Sequence, residues 1–469
     1  MTWSPKRAEA KPGSLLAETL RGLPAREGLS REFPPAVLAE AEAAAASPAL
    51  PDRDATDIPF VTIDPPGATD LDQALALHRD GAGWIVHYAI ADLPSFVEPG
   101  GAIDAEARRR GTTVYLPDER IPLHPETISE GAASLLPGRL RGAFLWEIRL
   151  GAAGEVAGAS VERARVRSRA QLSYAEAQRA LDTGTADAGL APLAEVGEAR
   201  LAQELARGGA SLNSPETIVE PDNGGYRLSR RNVLPVERWN AQLSLLTGMT
   251  AARLMLDARI GVLRTMPPAE ADRIAYFRRQ TRILGVPWGE EPYGAYLRGL
   301  SGDDPAHLAI MHAAAALFRG AGYQSFDGEL PLYHVQAAIA APYAHVTAPL
   351  RRLVDRFGLE ICAALSARQA VPAWVREALP SLPGIMAETG SVSGRLDRSG
   401  MDVIEAAVLA GRVGEVFDAA VVAKGRIQLP EPAVEARCDG ADEPGVWIRA
   451  RLLQADIATG AVLFEAAEG

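Results

Sequence analysis

The chain has 469 residues, of which 47 % are apolar and 23 % are charged, and this balance is typical of a protein that folds around hydrophobic cores. Its 48 basic and 60 acidic residues leave a formal net charge of −12, so a polyanionic partner would have to be attracted by local basic grooves. This composition excludes a wholly disordered chain and a histone-like polycation.

The cysteine content and the absence of long apolar stretches indicate the compartment. Two cysteines, Cys362 and Cys438, are too few for a disulfide framework or a cysteine-rich zinc site. The first residues contain no apolar stretch long enough for a signal peptide. The most apolar window, 307–318, is far shorter than the roughly 20 residues of a membrane span. We therefore expect a cytoplasmic protein without a membrane partner.

The hydrophobic spacing predicts a helical segment over residues 1–50, followed by a sheet-forming core that begins near residue 60. Short β-type runs separated by Gly, Pro and Asp lie at 60–63, 74–78, 84–90 and 144–150. Most of 171–365 is predicted to be helical, with helices at 242–256, 269–284, 307–319 and 349–365. These elements predict an α+β fold with a mixed sheet surrounded by helices.

The C-terminal part returns to short strands. The segment 380–400 contains Pro and Gly and is predicted to be a connector. After it, β-type runs at 416–422, 426–429, 446–453 and 462–465, with turns at Gly425, Gly440 and Gly460, are typical of a small β-barrel of the OB type. We therefore expect three parts: a helical N-terminal segment at 1–50, a mixed α/β domain at 51–399 and an OB-fold barrel at 405–469.

Three aspartates, Asp64, Asp70 and Asp72, stand close together in the sequence TIDPPGATDLDQ. A strand would bring Asp64 to its end, the Pro-Pro-Gly turn would reverse the chain, and the two-residue spacing would place Asp70 and Asp72 on one side of an extended segment. Converging carboxylates repel each other unless they take up protons or bind a hard cation such as Mg²⁺ or Mn²⁺. The alternative is that these aspartates cap turns in a solvated loop.

A pair of arginines follows Pro349 in the sequence HVTAPLRRLVD. Pro349 suits the first position of a helix, which would place Arg351 and Arg352 in the first helical turn. Arginines there are unfavourable for the helix dipole, whereas free N–H groups beside two guanidiniums suit a phosphate. The alternative is that both arginines form salt bridges with neighbouring acids such as Asp355.

Further arginines recur with period two, which on a strand would align four guanidiniums on one face: Arg163, Arg165, Arg167 and Arg169. Such a stripe could follow a phosphate backbone, although a solvated edge strand has the same pattern. Two tyrosines, Tyr115 and Tyr174, accompany these motifs. Nucleic-acid bases stack on such rings, but a single tyrosine can equally be a core residue with a hydrogen-bonded hydroxyl.

In this order, the motifs make the sequence similar to the ribonuclease II family. The resemblance rests on TIDPPGATDLD at 62–72, HYAIAD at 87–92, RGTTVYLP at 110–117, IPLHPE at 121–126 and HVTAPLRR at 345–352. It implies that an RNB catalytic domain covers about residues 52–399. It also implies that the C-terminal barrel is an OB-type RNA-binding domain.

The resemblance implies a processive 3′→5′ exoribonuclease that hydrolyses single-stranded RNA to nucleoside 5′-monophosphates with Mg²⁺, or with Mn²⁺ in its place. Two cations about 3.5 to 4 Å apart would activate water and stabilise the leaving oxygen. The resemblance implies no obligate protein partner. The implied catalytic residues are Asp64, Asp70, Asp72 and Arg351, the implied metal ligands are the three aspartates and Gln73, and the implied RNA contacts are Tyr115, Tyr174, Arg352, Arg163, Arg165, Arg167 and Arg169.

The sequence also departs from the family pattern. Gln73 stands where a second adjacent aspartate is usual, which removes a negative charge and predicts weaker binding of one cation. Gln242 lies in a stretch where glutamates are frequent, so its contact with RNA is in doubt, and Ala348 replaces a capping serine. Residues 1–50 are too few for two cold-shock barrels, which predicts a more open RNA entrance.

Two other functions remain open. One is an RNA-binding protein with an impaired metal site that acts as a regulator, as the substitution at Gln73 suggests. The other is a metal-dependent phosphoesterase that acts on small nucleotides, although such a substrate would not need an OB-type barrel.

Overall fold

The structure is a computed structural model and describes residues 11, 13–210, 216–222, 225–315, 317 and 319–467. The predicted N-terminal segment falls outside these residues at 1–10 and 12, and the predicted helix 307–319 does so at 316 and 318. The described helices are α1 (Leu15–Arg26), α2 (Pro35–Ala46), α3 (Ala102–Arg110), α4 (Tyr174–Asp182), α5 (Leu193–Ala206), α6 (Pro235–Ala258), α7 (Ala271–Ile283), α8 (Tyr293–Arg298), α9 (Pro305–Ala315), α10 (Leu353–Ser366), α11 (Ala373–Ala378) and α12 (Leu382–Leu409).

The central sheet carries the first strands of the chain, as predicted. The strands in this part are β1 (Val61–Ile63), β2 (Gln73–Asp80), β3 (Gly83–Ala91), β4 (Val114–Tyr115), β5 (Arg120–Ile121), β6 (Leu140–Leu150), β7 (Val156–Arg167) and β8 (Ala170–Leu172). Six of these described strands form one sheet in the order β7-β6-β3-β2-β1-β8, in which β1 and β8 are parallel and the other pairs are antiparallel. The short strands β4 and β5 form a separate hairpin.

Both faces of this sheet are buried, as the sequence of β3 illustrates. Its alternate residues Val86, Tyr88 and Ile90 belong to the larger core, and Ala89 and Ala91 belong to the core that α2 covers. Side chains on a strand point alternately to opposite faces, so one apolar run can serve two cores. The sheet is therefore the rigid centre from which the loop between β1 and β2 projects.

Helical and smaller β elements complete this domain. Two further antiparallel pairs are formed by β9 (Glu216–Asp222) with β10 (Gly225–Arg231) and by β11 (Ile260–Thr265) with β12 (Gly322–Asp327), the second of which joins strands on either side of α7 to α9. Single turns of 3₁₀ or π helix lie at Leu93–Phe96, Thr127–Ala132, Leu379–Ser381 and Ala410–Arg412. The predicted helices at 242–256 and 269–284 are confirmed within α6 and α7. The observed fold is the predicted α+β arrangement.

The C-terminal residues form the predicted barrel. It consists of β13 (Val416–Ala423), β14 (Arg426–Gln428), β15 (Glu435–Asp439), β16 (Trp447–Asp456) and β17 (Ala461–Ala466), closed in the order β13-β14-β15-β17-β16. The rings of Phe417 and Phe464 meet edge to face inside it, with centroids 5.8 Å apart. Strand β15 was not among the predicted strands; the others confirm the prediction of an OB-type barrel.

The prediction of a connector at 380–400 is wrong, because these residues lie mostly within the long helix α12. Pro383 is tolerated in the first turn, where its missing N–H has no helical partner. Leu382 packs into the larger core, while Leu396 and Ile404 pack into the core shared with the barrel. This burial outweighs the low helix propensity of the glycines. The helix runs through residue 399, so the division into three domains stays a prediction.

The predicted start of the helix at Pro349 is also wrong. Helix α10 begins at Leu353, and Arg352 is its N-cap residue with an extended backbone, φ −134° and ψ 125°. The N–H of Ala348 donates to the carboxylate of Asp355 at 2.7 Å, so residue 348 contacts the first turn of the helix through its backbone and is not the cap residue. The arginine pair therefore lies in a turn before the helix. Within the described residues, no helix is both long enough and apolar enough to cross a membrane.

Candidate active site

A pocket of about 580 Å³ lies where β1 ends and β2 begins. Its walls come from the β1–β2 loop, the β4–β5 hairpin, the starts of α4 and α6, and the turn before α10. The residues that line it include Asp64, Asp70, Asp72, Gln73, Tyr88, Tyr115, Arg120, Glu130, Tyr174, Asn240 and Arg351. The structure therefore brings the three predicted aspartates, Gln73, both tyrosines and Arg351 to one pocket.

Asp64 directly follows β1 and extends from the end of that buried strand. One of its carboxylate oxygens, Oδ2, is buried without a hydrogen-bond partner. Burial, with a smaller contribution from the nearby Asp70 carboxylate, raises the pKa of Asp64 to about 7 against the opposing effects of Thr62 and Arg351. Asp64 is therefore a carboxyl group whose negative charge is incompletely compensated by the protein.

Asp72 is deeper, with 6 % of its surface exposed. The backbone N–H of Leu350 donates to its Oδ1 at 2.8 Å, and the Nε of Arg351 lies 3.7 Å from its Oδ2. Burial raises the pKa of Asp72 well above its usual range, although the charge of Arg351 opposes this shift. The turn before α10 thus contacts the aspartate loop through one backbone N–H and one guanidinium.

Asp70 is already paired with an arginine that the sequence analysis did not single out. Nη1 of Arg120 lies 2.7 Å from its Oδ1, and the hydroxyl of Tyr115 donates to its Oδ2 at 3.4 Å. In the β4–β5 hairpin, Tyr115 is directly opposite Arg120. The signal that could have revealed Arg120 is the Pro-Asp turn between these two residues, because such a turn brings flanking side chains together.

Gln73 is the first residue of β2, and its side-chain oxygen is also engaged. The hydroxyl of Tyr88, which is 1 % exposed, donates to Oε1 of Gln73. Burial raises the pKa of Tyr88 well above its usual range, and the Asp64 carboxylate adds to this shift. Gln73 is therefore held in the pocket wall by a neutral hydroxyl group.

These contacts decide how well the pocket suits a divalent cation. Within the described part of the chain, no group of three or more His, Cys, Asp or Glu side chains is close enough to hold a metal ion. The unpartnered oxygen of Asp64 and the carboxylate of Asp72, which line the same pocket, offer hard oxygen donors that fit one divalent cation. Asp70 and Gln73 have their oxygens engaged, so the arrangement does not fit a second cation there.

The predicted nucleotide-binding residues Tyr115, Tyr174 and Arg351 all line the pocket. Tyr174 is the first residue of α4, and a capping box between Ser173 and Glu176 fixes this helix end. Arg351 remains accessible, since 40 % of its side chain is exposed. Asn240 also lines the pocket, from the first half of α6, and the sequence analysis did not select it.

Arg352 is not among the residues that line the pocket, and it forms the salt bridge given above as the alternative, while its predicted contact with RNA stays a prediction. Its Nε and Nη2 donate to the two carboxylate oxygens of Asp355 at 2.8 and 2.7 Å. Burial lowers the pKa of Arg352, but the ion pair raises it by more, to above the usual range. Gln242 is likewise outside the pocket lining: it is 2 % exposed and donates to Glu204 at 2.5 Å.

The arginines at 163, 165, 167 and 169 are not part of the pocket lining either. Arg163 donates to Asp92 at 3.0 Å, pairs with Glu360 and stacks over Phe144. Arg165 donates to the carbonyl of residue 52 at 3.2 Å. Strand β7 ends at Arg167, so the expected row of four on one strand is interrupted before Arg169. The first two members of the row serve the fold, and the RNA contacts predicted for the row stay predictions.

A mixed α/β domain with an acidic pocket, joined to an OB-type barrel, is an architecture of nucleic-acid-processing proteins. Residues 52–361 match the RNB domain family, and residues 415–467 match the RNase II-type exonuclease C-terminal S1 domain. The chain belongs to the RNB family. This confirms the family that the sequence motifs indicated.

Two curated relatives share a similar level of identity over similar lengths of the chain. Ribonuclease R of Escherichia coli (strain K12) is 30 % identical over 321 residues, which are 64 % of this chain and 39 % of that protein. The exosome complex exonuclease RRP44 of Homo sapiens is 34 % identical over 323 residues, 63 % of this chain and 32 % of that protein. The matched region thus spans about a third to two fifths of these relatives.

Solved structures show that the fold extends over nearly the whole chain. RNase R of Mycoplasma genitalium in complex with ribose methylated single-stranded RNA superposes with a TM-score of 0.86 at 17 % identity, covering 97 % of this chain and 78 % of that chain. Yeast Ssd1, a pseudonuclease, superposes with a TM-score of 0.67 at 17 % identity, covering 86 % of this chain and 53 % of that chain. The architecture is therefore shared with a protein described as an RNase and with one described as a pseudonuclease.

Proposed function

We propose that the protein is a processive 3′→5′ exoribonuclease that hydrolyses single-stranded RNA to nucleoside 5′-monophosphates, with Mg²⁺ or Mn²⁺ as its cofactor. The observation that carries this proposal is the pocket in which Asp64, Asp72 and Arg351 meet. Membership of the RNB family and the similarity to ribonucleases named above support it.

The two tyrosines of the pocket suit a substrate that is read by shape rather than by sequence. Tyr115 and Tyr174 come from separate elements, β4 and the start of α4, and both line the pocket. Stacking on such rings contributes about 1 to 3 kcal/mol per base and tolerates every base. Each removal of a terminal nucleotide would leave an equivalent end for the same rings, which is what processive shortening requires.

Arg351 is the group best placed to bind the scissile phosphate. Its guanidinium lies next to Asp72 but remains exposed, so it can donate to a phosphate oxygen without losing its position. A fixed positive charge beside that oxygen stabilises the charge that develops during hydrolysis. A divalent cation bound by Asp64 and Asp72 would supply an activated water molecule and would stabilise the leaving oxygen.

A second candidate function is RNA binding without cleavage. It is favoured by the engaged oxygens of Asp70 and Gln73, because a pocket that binds its cation too weakly would hold RNA without hydrolysing it. The similarity in fold to a pseudonuclease is compatible with this candidate. A small-nucleotide phosphoesterase is less well supported, because the C-terminal barrel would have no use for such a substrate.

A product ladder distinguishes these functions. Purified protein is incubated with 5′-labelled single-stranded RNA and Mg²⁺ or Mn²⁺, beside the variant Asp72→Asn and the surface control Arg253→Gln. We expect progressive shortening from the 3′ end by the wild type and the control, and none by Asp72→Asn. RNA that is bound but intact would favour the second candidate, and preferential hydrolysis of mononucleotide esters would favour the third. Shortening by the purified chain would also show that no protein partner is obligatory.

A further inference from the structure

Arg120 places a permanent positive charge among the predicted metal ligands. Its side chain is 14 % exposed and is held from three sides. Nη1 lies 2.7 Å from Oδ1 of Asp70, Nη2 donates to the Oγ1 of Thr69 at 2.9 Å, and Nη2 also pairs with Glu130. A guanidinium fixed by partners on both sides of the pocket is a structural part of it rather than a mobile surface charge.

This guanidinium occupies the position in which a cation at Asp70 would have to lie. Oδ1 of Asp70 accepts from Arg120, and Oδ2 accepts from Tyr115, so both oxygens are engaged. A divalent cation would also be repelled by the arginine at close range. At about 4 Å, a unit charge in a partly buried site changes the affinity for an ion by at least about tenfold.

The opposite side of the pocket gives an independent observation. Gln73 contributes no negative charge, and its oxygen accepts from the buried hydroxyl of Tyr88. A second cation would therefore lack a carboxylate at Gln73 and would compete with an arginine at Asp70. By contrast, Oδ2 of Asp64 is a buried carboxylate oxygen without a hydrogen-bond partner, and no arginine forms an ion pair with it among the contacts of the described residues.

We propose that the pocket binds one divalent cation, at Asp64 and Asp72, and that the guanidinium of Arg120 takes the place of a second cation beside Asp70. This inference rests on the proposed function, which supplies the reason for a cation in the pocket. It assigns to Arg120 the role of a built-in counter-charge that positions Asp70 and neutralises the pocket.

The test is to count bound Mn²⁺ ions by calorimetric titration and by electron paramagnetic resonance, without RNA. The variants are Arg120→Gln, Arg120→Lys, Gln73→Asp and the double variant Arg120→Gln/Gln73→Asp, with Arg253→Gln as a matched control. Arg253 lies on α6 and forms an exposed ion pair with Asp257. Unlike Arg120, it is not among the residues that line the pocket. Circular dichroism establishes that each variant is folded.

We expect one Mn²⁺ per chain in the wild type, in the control and in Arg120→Lys, which keeps the charge. Gln73→Asp alone should still bind one ion, because Arg120 continues to engage Asp70. The double variant should bind two, because the guanidinium that repels a second ion is removed and a carboxylate replaces the amide at position 73. If Arg120→Gln does not fold, Gln73→Asp and Arg120→Lys still test the inference through their single ion.

The inference is overturned if the wild type or Gln73→Asp binds two ions, if the wild type binds none, or if the folded double variant binds only one. Shortening of 5′-labelled RNA is measured separately on the same proteins. A wild type that binds one ion but leaves RNA intact would contradict the proposed function and leave the ion count standing. A wild type that shortens RNA while binding two ions would do the reverse.

Discussion

Asp355 binds the turn that precedes α10 and carries Arg351, and replacing it should destabilise the protein and slow the proposed catalysis. Its side chain is fully buried. One carboxylate oxygen accepts from the N–H of Ala348 and from Nη2 of Arg352, each at 2.7 Å, and the other accepts from Nε of Arg352 at 2.8 Å. These three bonds fix the turn that carries Leu350 and Arg351 into the pocket.

The substitution Asp355→Asn keeps the shape of the side chain and removes its charge. The amide oxygen can still accept from Ala348, but Arg352, with 14 % of its side chain exposed, loses the charge of the carboxylate with which it is paired. Leaving one member of a buried ion pair unpaired costs about 3 to 5 kcal/mol. Since a typical domain is stable by about 5 to 15 kcal/mol, this loss is large but compatible with a folded protein.

The same turn connects Asp355 to the proposed chemistry. Leu350 donates to Asp72 at 2.8 Å, and Arg351 approaches Asp72 at 3.7 Å, so loosening the turn displaces both contacts. Asp355 is a positioning residue, because it reaches the pocket only through this turn. We therefore expect Asp355→Asn to lower kcat for RNA shortening about tenfold or more while KM changes little, since the stacking tyrosines are unaffected.

Urea unfolding measures the stability, and steady-state shortening of labelled RNA at varied RNA concentration measures kcat and KM. The matched control is Asp327→Asn, which breaks an exposed ion pair with Arg376 at 3.0 Å and should cost at most about 1 kcal/mol. In the double variant Asp355→Asn/Arg352→Met, part of the stability should return because no unpaired charge remains. A loss no greater than that of the control, or no recovery in the double variant, would refute this reasoning.

Three further predictions concern the fold, the substrate contact and the response to pH. Gly83→Ala should cost more than about 3 kcal/mol in thermal unfolding, because the new Cβ would lie 1.9 Å from the carbonyl oxygen of Leu150; a Tm within a few degrees of the wild type would contradict this. Tyr174→Ala should weaken RNA binding by about 1 to 3 kcal/mol in a fluorescence titration, and unchanged affinity would argue against stacking there. Burial raises the pKa of Glu405 to about 8 from an ordinary 4.5, so the folded state holds its proton more tightly and stability falls as the pH rises between these values; Glu405→Gln should match the wild type at pH 4 and exceed its stability by about 4 to 5 kcal/mol at pH 8.5, whereas parallel pH profiles would exclude this effect.

The sequence predicts the sheet and the barrel because the residue patterns that specify most of their strands lie within the strands and their flanking turns. The runs at 60–63, 74–78 and 84–90 alternate or cluster apolar residues and are separated by turn residues, and each forms a strand in the structure. Strand β15 was not predicted because its sequence, EARCD, has no apolar run. It is a strand because β14 and β17 pair with it on both sides, which a local pattern does not encode.

Helix α12 was not predicted for a different reason. Its glycines predict a flexible segment, yet a Cβ on Gly400 would lie 2.8 Å from Cδ of Pro117 in the β4–β5 hairpin. A glycine there permits the helix to approach the hairpin closely, and burial of Leu396 and Ile404 compensates for the lost propensity. The same residue that weakens the local helix signal is thus required by a contact almost three hundred positions away in sequence.

Some residues of the candidate site could likewise be predicted from the sequence, and others could not. The aspartates Asp64, Asp70 and Asp72 could be assigned because one strand end and one turn bring them together. The partner of Asp70 could not, because Arg120 is 50 positions away and its orientation depends on the hairpin. The arginine pair was misplaced because Pro349 is a frequent helix start, while the buried carboxylate of Asp355 moved the start to Leu353.

Helix α1 and the residues that follow it pack against one wall of the pocket. Leu16, Leu20 and Leu23 of α1 pack into the core that includes Val114 and Ile121 of the β4–β5 hairpin. Beyond α1, Nε of Arg31 donates at 2.7 Å to Glu119, which lines the pocket. The hairpin carries Tyr115 and Arg120, so the segment supports the wall that holds both the proposed stacking ring and the proposed counter-charge. Because a two-stranded hairpin is only marginally stable alone, this packing, rather than the hairpin sequence, fixes the positions of both side chains.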